Sequence, residues 1–232
     1  MAYYALIGGR SIPHLTDFTL EEKIFSYLNK KPKQILFIPL ATYPNMEDAI
    51  NKFNSLVPKN YIVRCLTSYD DAKTMKNQFI QSDVIYFSGG CAEELVRLVK
   101  AFRIDTLLKD FINADKLFIG ISAGAILFSK AGMGDRYSFK DKGHIYNYKM
   151  VDGLGVLPIT ICPHYDHDGL DCYNSEVKNY PYDGYALEDD TAILFADQPH
   201  IFKQDKKRSV YHFDCTKKYL MNAIYEKEKI EF

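Results

Sequence analysis

A serine stands between two glycines in the pattern Gly120-Ile-Ser122-Ala-Gly124. The aliphatic run Leu-Phe-Ile precedes this pattern, and the helix-favouring run Ala-Ile-Leu-Phe follows it. Such an arrangement is typical of a nucleophile elbow, a tight strand-to-helix turn in which glycines leave the space beside the nucleophile empty. The backbone N–H of Ala123 would then lie at a helix N-terminus, where a developing negative oxygen is stabilised. The pattern predicts an enzyme that attacks a carbonyl group.

The same residues have a second interpretation that involves no chemistry. Small residues between a strand and a helix also allow the two elements to pack closely, and Gly-x-Ser-x-Gly occurs by chance in glycine-rich turns. The aliphatic strand before the turn and the helix after it are what an elbow requires, and most chance matches lack them. The context therefore favours the elbow.

A serine hydroxyl needs a base to accept its proton, and that base is usually a histidine oriented by a carboxylate. We choose His164 as the base for Ser122, because it follows the predicted strand 159–162 and would lie at a strand end. His14, in the loop after the first predicted strand, is a candidate for the wall of the same crevice.

The segment around His164 also carries the elements of a metal site. His164 and His167 are three residues apart, and Asp166, Asp168 and Asp171 lie near them. A second cluster of histidines or cysteines with ligand spacing would be needed to complete a typical set, and the sequence does not offer one. We therefore expect no metal and no other cofactor.

Gly90 is the candidate for a second group that stabilises an oxyanion. It follows the predicted strand 83–88, and a glycine at this position can point its N–H at a substrate oxygen beside that of Ala123. Gly89 and Gly90 have the alternative role of simply allowing a tight turn. The sequence leaves these two interpretations equal.

The elements that would position these residues alternate along the first 130 residues, as in parallel strands joined by helices. This pattern predicts an α/β fold, in which ligands bind at the carboxyl ends of the strands. We expect one domain over residues 1–232, with late strands added at one edge of the sheet and a surface turn at 181–184. The predicted strands are 3–8, 34–40, 61–66, 83–88, 116–121, 159–162, 191–196 and 209–213, and the predicted helices are 19–29, 45–56, 71–80, 92–102 and 104–113.

Composition excludes several classes of function. The 29 basic and 30 acidic residues are interspersed and give a net charge of −1, so the chain has no footprint for nucleic acid. We find no basic and apolar leader at the first residues and no apolar stretch long enough for a membrane helix. Five cysteines without a Cys-x-x-Cys pair are typical of reduced thiols, which predicts a cytoplasmic protein. The oligomeric state is not readable from the sequence.

Three ordered segments resemble the dipeptidase E and cyanophycinase-like family of serine peptidases. They are the strand end at 85–90, the elbow at 120–125, and the stretch 153–158 that leads into Pro163 and His164. The resemblance implies a class I glutamine amidotransferase-like fold, a flavodoxin-like three-layer sandwich with a mostly parallel central sheet. It also implies that Ser122 is the nucleophile, that His164 is the base, and that the N–H groups of Gly90 and Ala123 form the oxyanion hole.

The resemblance is less specific about the third member of the triad. In dipeptidase E an aspartate follows the nucleophile's helix, and Asp135 is the best match to it in this chain. The alternatives are Asp166, Glu188 and Asp189. Asp135 is the residue that we choose.

The resemblance also brings in the specificity of dipeptidase E. That enzyme favours an amino-terminal aspartate and holds its carboxylate with a basic residue, whereas residues 165–190 contain no arginine and only Lys178. Arg10 and Arg136 are the alternative partners for such a carboxylate.

We therefore expect a serine exopeptidase or dipeptidase that acts on short peptides, with an acyl-enzyme intermediate. Two other functions use the same residues. One is a non-catalytic binding module that keeps the fold, and the other is an esterase or amidase that uses the same elbow. A carboxylate and Ser122 both within hydrogen-bond reach of His164 would argue against the first of them.

Overall fold

The computed structural model describes residues 2–11, 17–67, 70–111, 114–135, 148–214 and 217–220. Strands and helices alternate over its first half, as the apolar runs of the sequence predict. The strands are β1 (Tyr3–Ile7), β2 (Gln34–Ile38), β3 (Ile62–Cys65), β4 (Val84–Phe87), β5 (Leu117–Ile121), β6 (Ala131–Asp135), β7 (Tyr148–Asp152), β8 (Ile159–Cys162), β9 (Asp183–Leu187), β10 (Thr191–Phe195), β11 (Pro199–Lys203), β12 (Val210–Asp214) and β13 (Lys217–Leu220). The helices are α1 (Thr19–Tyr27), α2 (Met46–Leu56), α3 (Ala72–Gln81), α4 (Ala92–Ala101), α5 (Ile104–Phe111), α6 (Ala123–Phe128) and α7 (Tyr173–Glu176).

The central sheet has seven strands in the order β11-β10-β1-β5-β4-β2-β3. The five strands β1 to β5 run parallel to their neighbours, whereas β10 pairs antiparallel with β1 and β11 antiparallel with β10. The prediction of a mostly parallel α/β sheet is therefore confirmed. Parallel strands are buried on both faces, which explains why they are the continuous apolar runs of the sequence.

Helices cover both faces of this sheet. Side chains alternate along a strand, so that Ile35 of β2 points to one face and Leu36 to the other. On the first face, Ile35 belongs to a core with Phe25 of α1 and Phe53 of α2. On the second face, α3 to α6 contribute to the core that contains Leu36. The result is a layer of helices, a sheet and a second layer of helices.

A second sheet of six strands departs from the prediction, in the order β13-β12-β9-β8-β6-β7. We expected all late strands at one edge of the central sheet, but only β10 and β11 join it. We did not predict β6 from the sequence, because its residues Ala-Gly-Met-Gly-Asp lack the β-branched pattern of a strand. Its glycines serve close packing instead, since a Cβ built at Gly132 would lie 2.7 Å from Cγ1 of Ile126 in α6.

Residues 181–184 also differ from the prediction of a surface turn, because β9 begins at Asp183. Gly184 has no room for a side chain there, as a Cβ would lie 2.4 Å from Cγ2 of Val177. The glycine that suggested a turn is therefore a position of close packing. Among the described residues, no helix combines the length and the apolar character that crossing a lipid bilayer requires.

Candidate active site

Ser122 lies in the sharp turn between β5 and α6, with φ 54° and ψ −111°. Both flanking glycines are sterically required. A Cβ at Gly120 would lie 2.1 Å from the carbonyl oxygen of Gly124, and a Cβ at Gly124 would lie 2.5 Å from that of Phe87. The positive φ of Ser122, a non-glycine residue, costs on the order of 1–3 kcal/mol, and the surrounding structure must hold the serine in that conformation. The local geometry is that of the predicted elbow.

His164 meets Ser122 across the carboxyl ends of the two sheets. It follows β8 and Pro163, and its own φ of 54° turns the side chain back toward the elbow. The Ser122 hydroxyl donates a hydrogen bond to Nε2 of His164 at 2.8 Å. The predicted contact between these two side chains is therefore present.

Asp189 is the carboxylate that orients His164. Nδ1–H of His164 donates to Oδ1 of Asp189 at 2.7 Å, and only 6% of the aspartate side chain is exposed. Burial alone would raise the pKa of Asp189, but hydrogen bonds from His164 and His167 and the charges of these histidines outweigh it and lower that pKa. The carboxylate is thus ionised near neutral pH and keeps the lone pair of His164 on Nε2, facing the serine.

Asp135, our choice from the sequence, does not occupy this position. It ends β6 opposite Tyr148 and lies on the wall of the pocket. Each ring nitrogen of His164 already has a partner, Ser122 on one side and Asp189 on the other. Asp135 is therefore corrected as the orienting carboxylate, and Asp189, one of the three alternatives, takes its place.

The other two alternatives support neighbouring structure. Asp166 accepts a hydrogen bond from the backbone N–H of Asp189 at 2.8 Å and also pairs with Arg208. Glu188 accepts from the backbone N–H of Ser209 at 2.9 Å and from the hydroxyl of Tyr211 at 3.3 Å. Asp166 thus fixes the turn that carries Asp189.

His167 is a residue whose place in the site the sequence did not reveal. A turn in which its N–H bonds the carbonyl of His164 at 2.8 Å brings both rings to one side. Its Nε2 then donates to Oδ2 of Asp189 at 3.1 Å. This hydrogen bond and the negative charges of Asp189 and Asp166 raise the pKa of His167, against opposing effects of burial and of Arg208. The spacing His-x-x-His was the available signal.

Gly9 was also missed as a site residue, although its loop was expected at the strand ends. A Cβ at Gly9 would lie 2.1 Å from Oδ1 of Asp189 and 2.2 Å from Cε1 of His164. The carbonyl of Gly9 accepts from the backbone N–H of Asp190 at 3.0 Å. The absence of a side chain here is what lets the histidine and the aspartate meet.

Gly90 and Ala123 flank the serine as the sequence predicts. Gly90 has φ 138°, and a Cβ there would lie 2.3 Å from the carbonyl oxygen of Ala41. Ala123 is the first residue of α6, so its N–H has no partner inside the helix. Both residues line one pocket with Ser122. Their role as oxyanion donors stays a prediction.

This pocket has a volume of about 540 Å³ and is largely apolar. One wall comes from the strands and α2 on the first face of the central sheet, and the opposite wall from α6, β6 and β7. The apolar side chains of the first wall include Phe37, Phe53, Leu56, Tyr86 and Ile121. A cleft of this size is within the range of small-molecule binding sites.

Arg10 is a buried cation at the pocket wall, and its charge is neutralised. Its side chain is 8% exposed and forms an ion pair with Glu21, which is fully buried. The hydroxyl of Tyr86 donates to the same carboxylate at 2.8 Å. Burial would lower the pKa of Arg10, but the charge of Glu21 and its hydrogen bond with the guanidinium raise it. His14 and Arg136, the other candidates from the sequence, lie outside the described residues.

Comparisons with known proteins place the chain in a family. The model of Peptidase family S51 matches residues 5–202. The uncharacterized peptidase YgaJ of Bacillus subtilis is 25% identical over 209 residues, which are 88% of this chain and 87% of that protein. Peptidase E of Shewanella denitrificans is 25% identical over 153 residues, which are 65% of this chain and 62% of that protein.

The crystal structure of a peptidase from an acI-B1 Actinobacterium has the same fold. The two superpose with a TM-score of 0.70 at 16% identity, over 95% of this chain and 94% of that one. The family match extends from β1 to β11 and includes the elbow, His164 and Asp189. The chain belongs to Peptidase family S51, a family of serine peptidases.

Proposed function

We propose that this peptidase hydrolyses short peptides through an acyl-enzyme on Ser122, with His164 as general base and Asp189 as the orienting carboxylate. The observation that carries the proposal is the continuous hydrogen-bond chain from the serine hydroxyl through the imidazole to a buried carboxylate. A chain of this kind removes a proton from a hydroxyl that is otherwise a poor nucleophile near neutral pH. The glutamine amidotransferase-like fold implied by the resemblance is part of the same proposal.

In the first half of the reaction, Oγ of Ser122 attacks the peptide carbonyl while Nε2 of His164 takes the hydroxyl proton. The N–H groups of Gly90 and Ala123 stabilise the tetrahedral oxyanion. His164 then gives its proton to the leaving amine, the C–N bond breaks, and an ester on Ser122 remains. In the second half, His164 takes a proton from water, the hydroxide attacks the ester, and the proton returns to Ser122 as the acid leaves.

The pocket supports a substrate with an apolar side chain next to the scissile bond. Its first wall is aromatic and aliphatic, and each buried apolar side chain contributes roughly 1.5–3 kcal/mol. Arg10, the buried cation on this wall, already shares its charge with Glu21. An aspartate side chain would lose its hydration there and gain little net attraction. We therefore include in the proposal that amino-terminal aspartate is not the preferred residue.

The experiment is a labelling and hydrolysis assay on the purified full chain. A fluorophosphonate probe should label the wild type and not Ser122→Ala, the matched variant that lacks only the hydroxyl. A dipeptide and tripeptide library should be cleaved by the wild type alone. Peptides with an apolar first residue should be cleaved faster than peptides with aspartate as the first residue. A folded wild type that neither reacts with the probe nor cleaves any peptide would overturn the proposal.

Two alternative functions are separated by the same assay. A non-catalytic binding module has no need of an ionised aspartate held on an imidazole, so the geometry favours catalysis over it. An esterase would hydrolyse p-nitrophenyl acetate with a much higher kcat/KM than any peptide. The reverse ratio is expected for a peptidase.

A further inference from the structure

We propose that His164, His167 and Asp189 form a binding site for a divalent transition-metal ion such as Zn²⁺, and that the bound ion switches the peptidase off. The binding part of this inference is independent of the proposed reaction. The inhibitory part rests on it, because it assigns the base to His164.

The three side chains form one cluster. One ligand atom from each lies within 4.8 Å of the others. The two imidazole rings have centroids 4.9 Å apart with their planes at 34°, and both bond the same carboxylate. Zinc with ligands at about 2.0–2.2 Å in a tetrahedron needs ligand atoms about 3.3 Å apart. Nδ1 of His164 lies 2.7 Å from Oδ1 of Asp189, and Nε2 of His167 lies 3.1 Å from Oδ2, so these contacts must lengthen by about 0.6 Å and about 0.2 Å to admit an ion.

The ligand atoms suit a cation. Asp189 offers a carboxylate oxygen, and each histidine offers one ring nitrogen. The nitrogens that face Asp189, Nδ1 of His164 and Nε2 of His167, now hold protons that hydrogen-bond to the carboxylate. A metal ion would take the place of these protons. Three protein ligands and one water are the arrangement of an open zinc site.

Loss of activity follows from where the displaced proton goes. With the metal on Nδ1, a neutral His164 carries its one proton on Nε2. That nitrogen then donates to Ser122 and cannot accept the hydroxyl proton. If His167 is protonated on both nitrogens, its Nε2 proton leaves to solvent. The step needs no oxidant or reductant and breaks no covalent bond other than these N–H bonds.

The site is accessible and selective. His167 is 48% exposed and His164 is 30% exposed, so an ion reaches them from the pocket mouth. The neighbouring carboxylate of Asp166 is already paired with Arg208. Imidazole with one carboxylate suits Zn²⁺, whereas Mg²⁺ prefers oxygen ligands. The sequence does not indicate the third ligand, Asp189, because this residue lies 22 positions after His167.

The test measures Zn²⁺ binding by calorimetry on the wild type, Ser122→Ala and His167→Gln. Wild type and Ser122→Ala should each bind one equivalent. His167→Gln removes one ligand but keeps a donor for Asp189, and its affinity should fall by more than the roughly 10–100-fold that loss of an outer-shell partner costs. Mg²⁺ should give no heat. All three proteins retain every cysteine, so binding at thiols would be equal among them and is subtracted.

The functional arm titrates Zn²⁺ against fluorophosphonate labelling of the wild type and His167→Gln. Labelling of the wild type should fall at the Zn²⁺ concentration that fills the site, and a chelator should restore it. Equal affinity in wild type and His167→Gln would overturn the inference, and so would tight binding with unchanged labelling. Tight, His167-dependent binding in a protein without hydrolytic activity would instead overturn the proposed function alone. Unfolding curves of each variant verify that it is folded.

Discussion

Nδ1 of His164 lies 2.7 Å from Oδ1 of Asp189, although the two residues come from different turns 25 positions apart in the chain. His164 follows β8, and Asp189 lies between β9 and β10, where the chain passes from the second sheet to the central sheet. The imidazole and the carboxylate are thus positioned by the junction of the two sheets. Any change that shifts this junction should act on catalysis before it acts on the fold.

Removing the charge of Asp189 tests its role directly. Asp189→Asn should lower kcat by roughly 10³–10⁴-fold, because an amide no longer favours the tautomer with a free lone pair on Nε2 of His164. Asp135→Asn is the matched control, since Asp135 lies on the pocket wall and not on the imidazole. Its effect on kcat should stay under about 10-fold. An equal loss in both variants, measured by steady-state kinetics, would return Asp135 to the triad.

Gly9→Ala should separate activity from overall folding. The new methyl group would overlap Asp189 and His164, which must move apart. We expect kcat to fall by at least ~10²-fold, since an error of about 1 Å in a catalytic group has such an effect. Stability should fall by roughly 1–3 kcal/mol from overpacking. Full kcat in this variant would contradict the close approach.

The sequence predicts the central sheet well, because its evidence is local. Continuous apolar runs mark β1, β2, β4 and β5, and the glycines of the elbow mark a turn that only glycine allows. The same locality explains why the contact between Ser122 and His164 could be predicted. Each of these residues sits at a recognisable strand end.

The second sheet and the third triad residue depend on long-range contacts. Nothing within a few residues of Asp189 distinguishes it from Glu188, and their roles differ because only one side chain points across the junction toward His164. Glycines gave an ambiguous signal, since Gly184 marks close packing against Val177 instead of a turn. Such contacts are set by the tertiary structure.

The lowered pKa of Asp189 predicts a dependence of stability on pH. An unfolded aspartate has a pKa of about 3.9, so the stabilisation is complete above that pH and is lost as the pH falls below it. Denaturant unfolding of wild type and Asp189→Asn should therefore show a stability advantage of the wild type that shrinks between about pH 5 and pH 2. A stability advantage of the wild type that grows as the pH falls would show that burial, and not the hydrogen bonds from the histidines, determines the pKa of Asp189.

His167 should show the opposite dependence. Its pKa is raised in the folded protein, so its contribution is present below about pH 6.5 and lost as the pH rises through the folded value. The stability difference between wild type and His167→Gln should therefore be larger at about pH 5.5 than at about pH 9. The half-exposed position of His167 makes this effect smaller than that of Asp189.

The positive φ of Ser122 predicts that glycine at this position gives a more stable protein than alanine, although both variants are inactive. Ser122→Gly should be more stable than Ser122→Ala by about 1 kcal/mol, because glycine adopts a positive φ without the Cβ penalty. Both variants lose the nucleophile and the hydrogen bond to His164, so the comparison reports the relief of strain less the greater unfolded-state entropy of glycine. Thermal unfolding of the two measures it. Lower stability of the glycine variant would mean that the turn is unstrained.

The ion pair of Arg10 with Glu21 predicts that a substitution at Glu21 changes the substrate preference. Glu21→Gln keeps a side chain of the same shape but leaves the buried guanidinium without its counter-charge. A substrate carboxylate would then have a partner, and a hydrogen bond to a charged group contributes roughly 1.5–3 kcal/mol. The ratio of kcat/KM for an Asp-X dipeptide over a Leu-X dipeptide should rise by about 10-fold or more.

Tyr86→Phe is the matched control for this prediction. It removes the hydroxyl that contacts Glu21 and leaves the carboxylate on Arg10. Because the charge balance at the pocket wall is unchanged, the ratio of Asp-X to Leu-X should stay near the wild-type value. A wild type that already prefers Asp-X, or a ratio that Glu21→Gln does not move, would mean that the acidic side chain is recognised elsewhere in the pocket and that the charge of Arg10 has no part in specificity.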